Sequence, residues 1–311
     1  MKCVVHMTHP EVEAWNFGSR EESRLRRLVP EAEIRIVDDE AAFLEDLPEA
    51  EVVLVWRFEE AWLDRAPGLK WVATPSAGKE RIPAAIARRV RVTHGTFHGK
   101  VMSETVVGMM LFAVRRLSFW SGERRSMPWP QGPMEEGLGL LRGSHAAILG
   151  FGPIGRAVAE KLKVFQVRIT GIKRTPADPP DFFDQEDRIV TLDRLPETLA
   201  EADHLVVILP GTEETDFLLN RETLAHLPPH AWVYNVGRGN AIDEAALIEA
   251  LNAGGLAGAF LDVFEDEPLP ADSPLRKMDK VFLLPHASAI CPEYLSFFVD
   301  EVAEQWGSVK R

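Results

Sequence analysis

The sequence has few cysteines and no long hydrophobic run. Cys3 and Cys291 are the only two cysteines in 311 residues, which argues against a disulfide framework and favours a reducing compartment. The most apolar run, residues 106–114, is shorter than the ~20 residues that a membrane-spanning helix needs. The first residues are too polar to form the apolar core of a signal peptide. We therefore expect a cytoplasmic protein with no membrane partner.

Cations are also scarce. The chain has 35 Lys and Arg against 48 Asp and Glu, a formal net charge of −13. Nucleic acids attract cationic surfaces, so we expect no nucleic-acid partner. The nine histidines form no cluster with ligand-like spacing, and no metal site is expected. The chain is, however, 46% hydrophobic, which allows a sizeable core, and its length favours two domains.

Short apolar runs alternate with helix-like segments along most of the chain. The runs have the length and the β-branched content of strands, and this alternation predicts an α/β protein with parallel sheets. They cover residues 4–5, 34–37, 52–55, 71–74, 145–149, 167–172, 204–209, 232–236, 257–263 and 280–284.

Two segments between the runs differ from this pattern. Residues 103–117 are apolar nearly all round, open with Ser103 as a capping residue and close with cations, which predicts a buried helix. Residues 121–137 are rich in glycine, proline and charge, which predicts a long loop or arm. Trp129 in this segment indicates a partner surface if it is exposed, and the alternative is burial against its own domain.

A glycine-rich turn follows the strand-like run 145–149. Gly150, Gly152 and Gly155 have the GxGxxG spacing, and residues 156–162 continue with helical spacing. In a dinucleotide site the first glycine allows a tight turn, the second lets pyrophosphate approach the backbone, and the third packs the helix near the strand. The helix N-terminus then binds the phosphates. A turn with a purely structural role is the alternative.

The end of the next strand-like run bears on the choice of cofactor. Lys173, Arg174 and Thr175 stand where an NAD site usually places an acidic residue for the ribose 2′-hydroxyl. Their charges and donors suit a 2′-phosphate. We therefore predict that NADP(H) is preferred and that NAD(H) is possible, the alternative being two solvated surface cations.

Three side chains suited to carbonyl reduction follow later strand-like runs. Hydride transfer to a carbonyl needs a proton donor, a cation that polarises the carbonyl and a group that binds the substrate carboxylate. Arg238, Glu267 and His286 are the candidate residues for this chemistry. Each alone could be a capping or surface residue, but their positions at successive strand ends predict a shared site.

Several motifs occur in an order and spacing similar to those of the D-isomer-specific 2-hydroxyacid dehydrogenases. They are residues 150–155, 209–215, 235–239, 261–270 and 285–286. The basic strand end and the segment 284–290 most resemble NADPH-dependent glyoxylate and hydroxypyruvate reductases. The resemblance implies two Rossmann-like, doubly wound parallel-sheet domains. A dinucleotide-binding domain (99–287) would be inserted into a flavodoxin-like substrate-binding domain (1–98 plus 288–311), with a homodimer formed through the dinucleotide domain.

The resemblance also implies residue roles. His286 would be the general acid/base, Glu267 would orient it and favour its protonated form, and Arg238 would bind and polarise the substrate. Asp262 would accept a hydrogen bond from the nicotinamide carboxamide. The remaining cofactor contacts implied are Pro153, Ile154, Leu209, Pro210, Thr215, Val236, Gly237 and Ser288.

The residues expected to bind the substrate match the family pattern less closely than the cofactor motifs do. Ser76, Ala77 and Gly78 resemble the family loop whose backbone amides bind the substrate carboxylate, with an ordinary turn as the alternative. Lys79 departs from the family pattern, either adding charge for a second acidic group or pointing to water. Trp56 would either line the substrate pocket or belong to the hydrophobic core.

These features predict an enzyme that reduces a small 2-oxo acid, such as glyoxylate or hydroxypyruvate, to its D-2-hydroxy acid. A dinucleotide-sensing scaffold of the same fold is the alternative, although a scaffold could lose Arg238, Glu267 or His286 and this chain has all three. A different Rossmann enzyme, acting on an amino acid, would need a base or lysine placed elsewhere.

Overall fold

The structure is a computed structural model that describes residues 1–118, 131–135 and 137–309. It divides the chain into two compact units, Met1–His98 with Ile290–Arg311, and Gly99–Ala289. Each unit contains one parallel sheet, so the predicted α/β class is confirmed. Most of the predicted arm, including Trp129, lies outside the described residues.

The first unit is built on a five-stranded sheet. Its strands are β1 (Lys2–His6), β2 (Glu33–Ile36), β3 (Val52–Val55), β4 (Trp71–Thr74) and β5 (Arg91–His94), in the order β2-β1-β3-β4-β5. Its helices are α1 (Ser19–Leu28), α2 (Glu40–Asp46) and the C-terminal α9 (Tyr294–Trp306). Strands β3 and β4 are buried at every residue, as expected for continuous apolar runs inside a parallel sheet.

The second unit is built on a seven-stranded sheet. Its strands are β6 (His145–Leu149), β7 (Arg168–Lys173), β8 (Arg188–Thr191), β9 (His204–Val207), β10 (Trp232–Asn235), β11 (Gly258–Leu261) and β12 (Val281–Leu283). Its helices are α3 (His98–Val114), α4 (Gln131–Glu135), α5 (Pro153–Val164), α6 (Leu195–Ala200), α7 (Arg221–Leu224) and α8 (Glu244–Asn252).

The strand order of this sheet, β12-β11-β10-β9-β6-β7-β8, locates a ligand crevice. The chain leaves β6 towards β7 and β8, and then returns to the other side of β6 through β9. Ligands of doubly wound sheets bind where the order reverses, beyond the carboxyl ends of the strands. In this sheet the order reverses between β6 and β9, and the glycine turn follows β6 at this point.

The structure departs from the sequence prediction in three elements. Helix α3 begins at His98, five residues before the predicted cap, and the Ser103 hydroxyl donates to the Gly99 carbonyl inside the helix instead of capping it. Strands β5 and β8 were not predicted, because both are half-buried edge strands without a continuous apolar run.

A buried histidine in the second sheet makes stability depend on pH. His204 in β9 is 3% exposed, and its Nδ1 atom lies 3.1 Å from the Tyr234 hydroxyl. Burial lowers the pKa of His204 to about 4. A histidine in the unfolded chain titrates near pH 6.5, so above that pH the ring is neutral in both states and stability does not depend on it. As the pH falls from 6.5 to 4, the unfolded state binds a proton that the folded state does not. The free energy of unfolding therefore decreases, by up to about 3 kcal/mol.

We therefore expect the free energy of unfolding to fall more steeply between pH 7 and 4 in the wild type than in His204→Gln. Urea unfolding at several pH values measures both curves. Parallel curves would show that His204 does not titrate on unfolding as described.

Candidate active site

The turn after β6 leaves room for a ligand against its backbone. Gly150 has φ of +101°, and a Cβ atom there would lie 2.3 Å from the Ile208 carbonyl oxygen, so only glycine fits. Gly152 instead faces open space, since a Cβ atom there would meet nothing within 4 Å. Helix α5 begins directly afterwards and has no side-chain cap on its first amides. This open, uncapped helix start fits the pyrophosphate of a dinucleotide, which the backbone amides of Ile154 and Gly155 would hold.

The basic residues lie at the end of β7, next to β6. Lys173 is half-buried, and Arg174 and Thr175 are exposed. A hydrogen bond from the Thr212 hydroxyl is the main cause that lowers the pKa of Glu214, and the positive charge of Arg174 lowers it further. Arg174 therefore acts electrostatically on the loop that follows β9.

That loop contains three of the predicted cofactor contacts. Leu209 is half-buried, Pro210 is exposed, and the Thr215 hydroxyl donates to the Pro210 carbonyl at 2.7 Å. This bond closes the loop at the strand ends where the sheet order reverses.

His286 and Glu267 form a hydrogen-bonded pair. The distance between His286 Nδ1 and Glu267 Oε2 is 2.8 Å, and the other carboxylate oxygen accepts the Phe264 amide at 3.1 Å. Burial alone would raise the pKa of Glu267, but the His286 hydrogen bond and charge, the Phe264 amide and the charge of Arg238 together hold it below its usual value. The His286 side chain is 48% exposed, so its Nε2 atom can transfer a proton to a ligand.

Asp262 shapes the turn that carries His286. His286 has φ of +52°, an uncommon conformation for a non-glycine residue, and its amide donates to the Asp262 carbonyl at 2.8 Å. The Asp262 carboxylate accepts the amides of Ala287 at 2.6 Å and Ser288 at 3.1 Å. Asp262 is 0% exposed and Ser288 is 3% exposed. Contact with a nicotinamide would thus require these buried groups to become accessible.

Arg238 is held by a residue that the sequence argument did not single out. Asn235 is 1% exposed, its Nδ2 donates to the Arg238 carbonyl at 3.1 Å, and its Oδ1 accepts the Gly237 amide at 3.1 Å. The Arg238 guanidinium donates to the Gly237 carbonyl at 2.8 Å. A polar residue at the last position of a buried strand was the available signal for Asn235, because such a side chain must find partners.

Two backbone contacts fix the 235–239 turn between its neighbours. A Cβ atom on Gly237 would lie 2.6 Å from the backbone of Leu209, and one on Gly239 would lie 1.9 Å from the carbonyl group of Phe264. Val236, which precedes Gly237, is buried. The Arg238 turn therefore packs directly against the turn that carries Glu267.

The predicted substrate residues other than Arg238 lie in the first unit. Ser76 follows β4 and its amide approaches the Thr74 hydroxyl at 3.4 Å, while Ala77 is exposed. Trp56 is half-buried after β3, donates to the Trp15 carbonyl at 3.1 Å and stacks on Tyr294 at 6.0 Å between ring centroids. Trp56 therefore belongs to an aromatic cluster with one part still accessible. Gly78 is half-buried and Lys79 is exposed.

Within the described residues, no group of three or more His, Cys, Asp or Glu side chains could hold a metal ion. Over the same residues, no helix is both long enough and apolar enough to cross a membrane.

Comparison with known proteins identifies relatives over most of the chain. Residues 107–288 match the family model described as "D-isomer specific 2-hydroxyacid dehydrogenase, NAD binding domain". Glyoxylate reductase of Thermofilum pendens is 36% identical over 241 residues, which cover 73% of this chain and 68% of that protein.

Two solved structures extend the similarity to the whole chain. A D-isomer specific 2-hydroxyacid dehydrogenase from Xanthobacter autotrophicus Py2, in complex with NADPH and MES, has a TM-score of 0.79 and 31% identity, covering 98% of this chain and 95% of that chain. The NADPH-dependent glyoxylate/hydroxypyruvate reductase of Sinorhizobium meliloti, in complex with NADP and sulfate, has a TM-score of 0.78 and 25% identity, covering 99% of this chain and 95% of that chain.

Proposed function

The chain belongs to the D-isomer-specific 2-hydroxyacid dehydrogenase family, and we propose that it reduces glyoxylate or hydroxypyruvate to the 2-hydroxy acid with NADPH. It is an NAD(P)-dependent oxidoreductase that acts on 2-oxo acids. The observation that carries the proposal is the grouping of Arg238, Glu267 and His286 at neighbouring strand ends, with the bond of 2.8 Å between His286 and Glu267.

The proposed mechanism assigns a distinct role to each of these side chains. When bound, the reduced nicotinamide supplies the hydride to the carbonyl carbon. His286 Nε2 donates a proton to the carbonyl oxygen as negative charge develops there, and Glu267 stabilises the imidazolium before this transfer. The Arg238 guanidinium binds the substrate carboxylate and polarises the 2-oxo group.

Selection of the substrate is assigned to residues of the first unit. The backbone amides of Ser76, Ala77 and Gly78 would bind the substrate carboxylate, and Trp56 would limit the size of the substrate side chain. The resemblance to the family supports these roles, together with the accessible positions of the loop and of part of Trp56. Lys79 is exposed and is assigned no part in binding glyoxylate or hydroxypyruvate, because neither has a second acidic group.

One spectrophotometric experiment tests the function. NADPH and NADH oxidation is measured across a panel that contains glyoxylate, hydroxypyruvate, pyruvate and longer 2-oxo acids. We expect turnover to be highest with glyoxylate or hydroxypyruvate. NADPH binding without turnover of any 2-oxo acid would favour the dinucleotide-sensing scaffold.

The cofactor preference rests on Lys173 and Arg174. A charged hydrogen bond to the 2′-phosphate contributes about 1.5–3 kcal/mol, so Arg174→Gln combined with Lys173→Ser should lower kcat/KM for NADPH about 10- to 100-fold. The value for NADH should change little. Arg194→Gln, which removes an exposed cation bonded to Glu197, is the control and should leave both values unchanged. Equal efficiency of the wild type with NADH and NADPH would contradict the preference.

The assembly proposed is a homodimer formed through the dinucleotide-binding unit, as the resemblance implies, and the low cysteine content favours a cytoplasmic location. Light scattering coupled to gel filtration should give twice the mass of one chain. The mass of a single chain would contradict this assembly.

A further inference from the structure

The N-terminus of α8 is joined to the turn that carries Glu267 by two reciprocal hydrogen bonds. The Glu244 amide donates to the Glu265 carboxylate at 2.7 Å, and the Glu265 amide donates to the Glu244 carboxylate at 2.8 Å. Glu244 is the first residue of α8, where a negative charge is favourable, and Asp243 caps the helix through the Ala246 amide. The two bonds therefore fix residue 265 against a regular element.

Glu267 of the acid/base pair lies in the same turn, two residues after Glu265. The Phe264 amide donates to one oxygen of Glu267, and the other oxygen bonds His286. Gly239 also packs against the Phe264 carbonyl. The segment 264–267 is thus held both by its packing against Gly239 and by its hydrogen bonds with Glu244.

The charges around Glu244 indicate that hydrogen bonds from backbone amides stabilise this arrangement. Burial, together with the negative charges of Glu265 and Asp266, raises the pKa of Glu244, while its hydrogen bond from the Glu265 amide opposes this shift. The carboxylates repel each other, so attraction between the side chains cannot hold them together. Charge-assisted bonds from backbone amides provide the attraction.

We propose that Glu244 is a positioning residue for the acid/base pair: by accepting the Glu265 amide it holds the 264–267 turn so that Glu267 meets His286. This inference rests on the proposed function, since it assigns Glu244 to the same site. Glu244 touches neither substrate nor cofactor in this proposal and acts only through the turn.

The test compares two substitutions of this residue. Glu244→Ala removes the acceptor and should lower kcat about 10- to 100-fold with little change in KM, because misplacement by ~1 Å costs about that much in rate. Glu244→Gln keeps an acceptor oxygen and should restore kcat to within about twofold of the wild type. Glu249→Ala, on the same helix and bonded to Arg221, is the control and should leave kcat unchanged.

Two further readouts do not depend on turnover. Hydrogen exchange of a peptide covering 262–268 should increase in Glu244→Ala and not in Glu244→Gln. The pH titration of the His286 ring signal in NMR should change in Glu244→Ala and match the wild type in Glu244→Gln. Faster exchange without a change in kcat and in the ring titration would overturn the positioning role, as would equal kcat values in the Ala variant and the wild type.

The two proposals can fail separately. If the wild type reduces no 2-oxo acid, the proposed function fails and the ring titration decides the role of Glu244 alone. If the wild type is active and Glu244→Gln is as impaired as Glu244→Ala, the charge and not the acceptor oxygen matters, and the positioning proposal is wrong.

Discussion

Replacing His286 by glutamine is expected to lower kcat by about 10²–10⁴, the usual contribution of a positioned general acid. Glutamine fills a similar volume and can still donate to Glu267, but its amide cannot deliver a proton to a developing alkoxide. The affinity for NADPH should stay within about twofold, because the glycine turn and the end of β7 lie on other strands. Steady-state kinetics and calorimetric titration with NADPH measure the two quantities.

Glu267→Gln separates proton transfer from orientation. The amide oxygen can still accept from His286 Nδ1, but it no longer supplies the negative charge that stabilises imidazolium. We expect a smaller loss of kcat than in His286→Gln. Because the pKa of Glu267 is lowered, its carboxylate stays charged from neutral pH down to below the ordinary glutamate range, and only further acidification removes this support.

A His286→Gln enzyme that keeps a tenth or more of wild-type kcat would exclude His286 as the acid.

The parts of the site that follow strand ends could be predicted from the sequence. Gly150–Gly155 is a local motif, and its turn depends only on the strand before it and the helix after it. Arg238 and His286 follow β10 and β12, and the carboxyl ends of parallel strands meet at one edge of the sheet. Residue type and strand position were therefore sufficient to group them.

Contacts between turns could not be predicted in this way. The burial of Asp262 against the amides of Ala287 and Ser288 depends on β11 lying beside β12. The bond of Glu244 to Glu265 depends on how α8 meets the turn after β11. Edge strands β5 and β8 were missed for a different reason, because half-buried polar residues give no clear period.

Gly239→Ala should reduce kcat/KM by about 10²-fold or more, although alanine adds only one methyl group. Its Cβ atom would lie 1.9 Å from the Phe264 carbonyl carbon and oxygen and 2.5 Å from the Glu265 amide nitrogen. Backbone atoms cannot give way as a side-chain end does, so one of the two turns must move by more than ~1 Å, which suffices for such a loss. Kinetics of the variant, with melting and NADPH binding measured in parallel, test this expectation.

Gly108→Ala is the matched control, because a Cβ atom there meets nothing within 4 Å and the residue lies inside α3. It should preserve activity and raise stability by about 0.5–1 kcal/mol, since alanine favours a helix interior. Gly239→Ala should still bind NADPH while it loses kcat/KM, because the displaced turns carry Arg238 and Glu267, whereas the glycine turn after β6 is not displaced. Wild-type kcat/KM in Gly239→Ala would show that the two turns are not coupled, and that the acid/base pair tolerates movement of the turn that carries Arg238.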